Sequence, residues 1–136
     1  MASALCVFDI DGVLLVNGAP SREGVENVRR CVERGLRVAI VSGRRLEEWP
    51  RIRSLLKSSG APVDRIEILA LKRSEEDTRE FKLRIYSEIV AEGLDVAEIH
   101  EDDLDLVRKL TSMFPRARIY VYSSGRVVEV LDRGSS

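Results

Sequence analysis

Glutamine is absent from this sequence, asparagine occurs twice (Asn17, Asn27), histidine once (His100) and cysteine twice (Cys6, Cys31). Each scarcity excludes something. A single histidine leaves no means of building a zinc or acid–base site from several imidazoles. Two cysteines are too few for a small secreted scaffold held by disulfides, and both fall in apolar patterns, so buried free thiols are expected. No apolar run approaches the roughly 18 residues that a membrane span needs. The first nine residues carry no basic stretch ahead of their short apolar run, which reads as a first strand rather than a signal peptide. The expected location is therefore cytoplasmic. Few thermolabile amides beside abundant charge suggest a thermophile as the source.

The sequence has 136 residues, 44% hydrophobic and 33% charged, which fits one domain, residues 1–136, and excludes disorder or a collagen-like repeat. Lys and Arg number 22 against 23 Asp and Glu, so no overall basic field marks a nucleic-acid binder. The charge is nevertheless uneven. Residues 21–57 hold ten basic and five acidic side chains, and residues 64–105 hold six and fourteen. Solvated helix faces explain this pattern, and so does a basic flank beside an anionic substrate.

Ala4 to Phe8 reads as a buried parallel strand ending at Asp9. A segment bearing Gly, Asn and Pro follows, and Ser21 then caps a helix with Val25, Val28 and Val32 on one face, stopped by Gly35. Leu36 to Val41 is a second strand, ending at Ser42-Gly43, and the next helix holds Pro50 in its first turn. Ile66 to Leu71 is a third strand, Lys82 opens a third helix, and Val96 to Ile99 is a fourth strand. Leu106, Leu110 and Met113 mark a fourth helix, ended by Pro115. Arg118 to Tyr122 and Val127 to Leu131 are final strands joined at Ser124-Gly125. The alternation predicts an α/β, doubly wound, Rossmann-like three-layer sandwich with a mainly parallel central sheet, and ligands bind beyond the carboxyl ends of such strands.

Those ends carry Asp9 with Asp11, Ser42, Lys72 and the run Glu101-Asp102-Asp103. Two carboxylates two residues apart at the end of a buried strand need a cation or proton between them, and Mg²⁺ suits oxygen ligands. A carboxylate can attack a metal-bound phosphorus, while a second protonates the leaving oxygen. Gly12 permits a sharp turn. Ser42 with the backbone of Gly43 can cradle phosphate at a helix entrance, and one ammonium, from Lys82 or Lys72, can meet the phosphoryl oxygens. His100, Trp49, Tyr120 and Tyr122 read as structural residues.

Together these residues resemble the haloacid dehalogenase superfamily. Phe-Asp-Ile-Asp-Gly-Val-Leu (8–14) resembles its first motif, Ile-Val-Ser-Gly-Arg (40–44) its second, Lys82 its third, and residues 101–103 its fourth. The resemblance implies that Asp9 is the nucleophile and Asp11 the general acid/base, which also offers its backbone carbonyl to Mg²⁺. It implies that Ser42 and Lys82 hold phosphate, with Gly12, Gly43 and Arg44 lining the substrate site, and that Asp9, Asp11 and Asp102 hold metal. The acidic pair is read as Glu101-Asp102, with Asp103 as the alternative. Asp77-Thr78-Arg79 and Lys82-Leu83-Arg84-Ile85-Tyr86 are similar to segments of the phosphatase domain in phage-type polynucleotide kinase/phosphatase, although the Gly-x-x-x-x-Gly-Lys loop of a kinase is missing.

The spacing between motifs leaves room for no sizeable cap domain, so the expected site is open, with Arg22, Arg44 and Arg45 near its mouth. The expected function is a Mg²⁺-dependent phosphohydrolase acting through an aspartyl-phosphate. Its substrate is a nucleic acid 3′ end or a small phosphorylated metabolite. A non-catalytic binding module would predict loss of Asp9 or Asp11, and both are present. The expected partners are a phosphorylated substrate and no membrane, in a monomer or small homo-oligomer.

Overall fold

A computed structural model describes residues 3–132. Leu5, Cys6, Val7 and Phe8 are all fully buried and form β1 (Leu5–Phe8), the continuous apolar run expected of a strand covered on both faces. It is flanked in parallel by β4 (Arg37–Arg45) and β6 (Val96–Glu101). β5 (Ile66–Lys72) lies outside β4, and β7 (Arg118–Ser123) outside β6, also in parallel. β8 (Arg126–Leu131) closes one edge as an antiparallel strand, giving the order β5-β4-β1-β6-β7-β8. This is the doubly wound α/β sheet that the alternation of elements predicts.

Side chains alternate between two cores. Cys6 and Phe8 face α1 (Arg22–Glu33) and α2 (Trp49–Ser58), whose Val25, Val28, Cys31, Ile52 and Leu56 cover that side of the sheet. Leu5 and Val7 face α3 (Thr78–Ala91) and α4 (Leu104–Met113), where Tyr86, Ile89, Leu106 and Leu110 are buried. Each such side chain contributes about 1.5–3 kcal/mol by leaving water.

Helix starts follow their caps. The Ser21 hydroxyl accepts from Gly24 N at 3.2 Å, and Pro50 sits in the first turn of α2, as expected. α3 begins four residues before Lys82, because the Asp77 carboxylate accepts from Glu80 N at 3.0 Å and starts the helix there. Lys82 therefore lies in the second turn and does not open the helix. The segment after Gly12 is more ordered than a loop. β2 (Leu15–Val16) and β3 (Ala19–Pro20) form a small hairpin across Asn17 and Gly18, both at positive φ.

The second strand also differs from expectation. β4 continues through Ser42 and Gly43 to Arg45, where it pairs with Lys72 across an irregularity in register. A 3-10 turn over Leu46–Glu48 separates it from α2. Ser42-Gly43 is thus inside a strand and not at a helix entrance.

Candidate active site

Backbone pairing brings the two acidic segments together. Phe8 lies opposite His100 in the β1–β6 pair, and Asp9 N donates to His100 O at 3.0 Å, so the ladder continues one step beyond β1. Asp9 and Glu101 follow residues on the α1/α2 face and therefore turn toward α3. Lys82 meets them there. Its Nζ lies 3.0 Å from Asp9 Oδ2 and donates to both Glu101 oxygens, at 3.0 and 3.2 Å. All three groups are buried.

The electrostatics follow from that burial. Loss of water and the neighbouring Glu101 hold the Asp9 carboxyl well above its usual range, against the pull of Lys82. Burial alone would pull the Lys82 ammonium down, but Asp9 and Glu101 hold it above its ordinary value. Asp102 reaches solvent, yet desolvation and Glu101 lift its carboxyl to about 6. One ammonium does not neutralise three carboxylates.

Asp9, Glu101 and Asp102 each offer an oxygen, and these atoms lie within 4.8 Å of one another. An all-oxygen donor set that is short of positive charge fits a hard divalent cation such as Mg²⁺. Gly12 completes the arrangement. It has φ +80°, and a Cβ there would come 2.0 Å from Asp102 Oδ2, so only glycine lets Asp102 lie over this turn.

Among the acids at 101–103, Asp103 has a different occupation. Its carboxylate caps α4, accepting from Asp105 N and Leu106 N at 3.1 and 3.3 Å, and takes a two-pronged contact from Arg79 at 2.9 and 3.0 Å. The structure therefore groups Glu101 and Asp102 with Asp9. The two lysines are separated as plainly. Lys72 Nζ donates to Thr78 Oγ1 at 2.7 Å, while Lys82 meets Asp9.

Asp11 is exposed and takes two hydrogen bonds from Arg44, at 2.8 Å (Nε) and 2.7 Å (Nη2). Glu48 takes a third from the same guanidinium at 2.9 Å. Ser42 is buried two residues beyond the Phe8–Ile40 pair, and its hydroxyl accepts from Arg44 N at 3.2 Å. Gly43 packs on Thr78, whose side-chain atoms would lie 2.5–3.0 Å from a Cβ at that position. Thr78 belongs to the Asp77-Thr78-Arg79 segment that the sequence marks without giving it a site role, and the i,i+4 spacing from Arg44 is the local signal for Glu48.

Of the remaining arginines, Arg22 pairs with Glu26 along α1, and Arg45 pairs with Glu47 and Glu75. Only Arg44 of the three reaches a candidate catalytic group. His100 is fully buried, stacked at 4.0 Å on Phe8 and 4.5 Å on Tyr120, and Trp49 packs against the α1/α2 core. Both are structural, as expected. No helix among the described residues is long and apolar enough to cross a membrane.

No family model matches the chain, and no curated protein matches it in sequence. Solved structures do match in fold. A chain of the Pnkp1/Rnl/Hen1 complex superposes with TM-score 0.71 at 14% identity, over 91% of this chain and 46% of that one, so this chain spans less than half of that neighbour. The Class C acid phosphatase from Bacillus anthracis with tungstate bound gives 0.65 at 14% identity, over 91% and 68% of the two chains. The D,D-heptose 1,7-bisphosphate phosphatase from B. bronchiseptica, complexed with magnesium and phosphate, gives 0.57 at 11%, over 90% and 83%. The chain thus has the fold of the haloacid dehalogenase-type phosphatases.

Proposed function

We propose that this protein is a Mg²⁺-dependent phosphohydrolase in which Asp9 carries the phosphoryl group between two half-reactions. The observation that carries the reading is the convergence of Asp9, Glu101 and Asp102 on one another, with Lys82 paired to the first two. Asp9, Asp102 and the backbone carbonyl of Asp11 would hold the cation, while Glu101 stays engaged with Lys82. When bound, the cation neutralises charge on the phosphoryl oxygens and orients the phosphorus toward Asp9.

The Asp9 carboxylate attacks phosphorus, an acyl phosphate forms, and the bond to the leaving oxygen breaks. Asp11 gives that oxygen its proton, then removes one from the water that releases phosphate from Asp9. Lys82 pulls Asp9 toward its ionised form, against burial and Glu101, and meets the phosphoryl oxygens. Ser42, with the backbone of Gly12 and Gly43, lines the phosphate position. Arg44, which grips Asp11 in the structure, transfers its planar fork to the incoming phosphate and thereby frees Asp11 to carry a proton.

We read residues 1–136 as one domain with an open site. Only the β2–β3 hairpin separates β1 from α1, and only a short turn and α2 separate β4 from the connection to β5. An open mouth suits the end of a polymer, and the likeness to a chain of the Pnkp1 complex, with the motifs at 77–86, favours a nucleic acid 3′-phosphate. The likeness to a heptose bisphosphate phosphatase supports a small sugar phosphate as the second reading. Phosphate release is to be compared on a 3′-phosphorylated oligonucleotide and on sugar phosphates, with and without Mg²⁺. Faster release from the oligonucleotide supports the first substrate class, and the reverse order supports the second. Release that is indifferent to Mg²⁺, or unchanged by Asp9→Asn, overturns the mechanism.

A further inference from the structure

A second cluster of metal-ligating groups lies on the opposite face of the same strands. Cys6 and Glu98 are paired neighbours across β1 and β6, so both side chains point toward α1, and Cys31 descends from α1 onto them. Cys6 Sγ, Cys31 Sγ and a Glu98 oxygen lie within 4.8 Å of one another, and all three residues are buried. From the pairing and the burial, we infer that Cys6, Cys31 and Glu98 form a binding site for one thiophilic divalent cation of the Zn²⁺ type, separate from the hard-cation site at Asp9.

The chemistry of the donors selects the ion. Two sulfurs with one carboxylate suit zinc, whose bonds to sulfur and oxygen are about 2.3 and 2.0–2.2 Å, and they suit Mg²⁺ poorly. The surroundings also supply the supporting contacts that such a site needs. The second Glu98 oxygen meets Arg34 Nη1 at 2.5 Å, and His100 Nε2 lies 2.9 Å from Glu98 Oε1. His100 is fixed in turn by Tyr122 at 2.7 Å, and Tyr122 by Asn27 at 2.6 Å. These partners hold the carboxylate in place, as the outer contacts of metal ligands do.

Charge balance is equally favourable. Without an ion, the cluster pairs the Glu98 carboxylate with the Arg34 guanidinium, and Cys31 Sγ donates to Glu98 Oε1 at 3.4 Å. The Cys6 contact and burial push the Cys31 thiol up, so sulfur enters the reaction protonated. Binding breaks two S–H bonds, sends both protons to the buffer and forms two metal–sulfur bonds. Two thiolates and one carboxylate then face one divalent ion and Arg34, so the net charge of the buried group does not change. No electron is transferred. An ion here ties α1 to β1, the strand that delivers Asp9.

The test is Co²⁺ uptake by the full, reduced chain refolded with one equivalent of the ion. Sulfur ligation gives an intense thiolate-to-cobalt charge-transfer band in the near ultraviolet, which oxygen ligands at Asp9 and Asp102 cannot give. The expected result is one such band per chain, bleached by Zn²⁺, retained in Asp102→Asn and lost in Cys31→Ser. Zn²⁺ is also expected to raise the Tm of the wild-type chain by more than about 5 °C when saturating. If Cys31→Ser fails to fold, the wild-type band alone decides. Absence of the band in folded, reduced wild-type protein overturns the inference. So does an as-purified chain two mass units light with no titratable thiol, which would mark a Cys6–Cys31 disulfide.

Discussion

The Asp102 carboxylate occupies the space that a side chain on residue 12 would fill, with Oδ2 only 2.0 Å from the position of a Cβ on Gly12. The turn after β1 and the acidic end of β6 therefore fix one another, and a methyl group at residue 12 must push Asp102 away from Asp9. Gly12→Ala is expected to weaken Mg²⁺ activation and to lower kcat by roughly 10²-fold, the scale of an ångström-sized misplacement. The checking measurement is the Mg²⁺ dependence of phosphate release from p-nitrophenyl phosphate. Wild-type activation by Mg²⁺ in this variant would count against the arrangement.

Among the described residues, Lys82 is the one cation held between Asp9 and Glu101. Replacing it by Met removes the charge but keeps most of the volume, leaving two buried carboxylates uncompensated. The expected cost is about 3–5 kcal/mol of stability, with activity lost. Urea unfolding of Lys82→Met measures the first term, and added Mg²⁺ is expected to recover part of it. A midpoint equal to that of the wild-type chain would mean that the lysine does not neutralise this pair.

Arg44 contacts Asp11 through a planar fork that an ammonium cannot reproduce. Arg44→Ala and Arg44→Lys are both expected to raise KM roughly ten- to a hundred-fold, with a smaller change in kcat. Steady-state kinetics separate the two parameters. Full activity in Arg44→Lys would show that only the charge is used.

Acid stability is expected to depend on Glu98. Burial alone would raise its carboxyl, but hydrogen bonds from His100 and Arg34 hold it at about 2, below the ordinary 4.5. The folded value is the lower one, so the contribution is complete above about pH 4.5 and disappears as pH falls toward 2. Its size is on the order of 3 kcal/mol. Unfolding followed by circular dichroism between pH 2 and 6, in chelator, is expected to show a shallower loss in Glu98→Gln. Parallel curves for the two proteins would assign the acid limb elsewhere.

The sequence makes β1 and its neighbours legible because buried parallel strands are continuous apolar runs, and Asp9 ends the first of them. Other features depend on partners far along the chain. β4 runs past Ser42-Gly43, a pair that reads locally as a strand end, because β5 continues to pair with it as far as Lys72. The Asn17-Gly18 turn carries a hairpin signal, but strands of two residues are too short to show alternation. Lys82 and Lys72 could not be separated by spacing, since the distinction rests on which face of β1 and β6 carries the acids. The sequence favours Glu101-Asp102 over Asp103 only through the apolar spacing that follows, whereas the contacts of Asp103 with Arg79 and the α4 backbone give the physical reason.

The nucleophile assignment has a direct consequence. Asp9→Asn preserves size and the contact with the Ile10 backbone N–H at 2.8 Å, so the fold is expected to persist while phosphate release falls by roughly 10⁴-fold or more. Circular dichroism checks the first expectation, and turnover of p-nitrophenyl phosphate the second. Residual turnover within tenfold of wild type would place the nucleophile elsewhere.

Shared ligation of a single hard cation by Asp9 and Asp102 is measured most directly by titrating Mg²⁺ into the wild-type, Asp9→Asn and Asp102→Asn chains by calorimetry. One site in the wild-type protein, weakened at least about tenfold in both variants, is the expected result. Undiminished Mg²⁺ affinity in Asp102→Asn would contradict it.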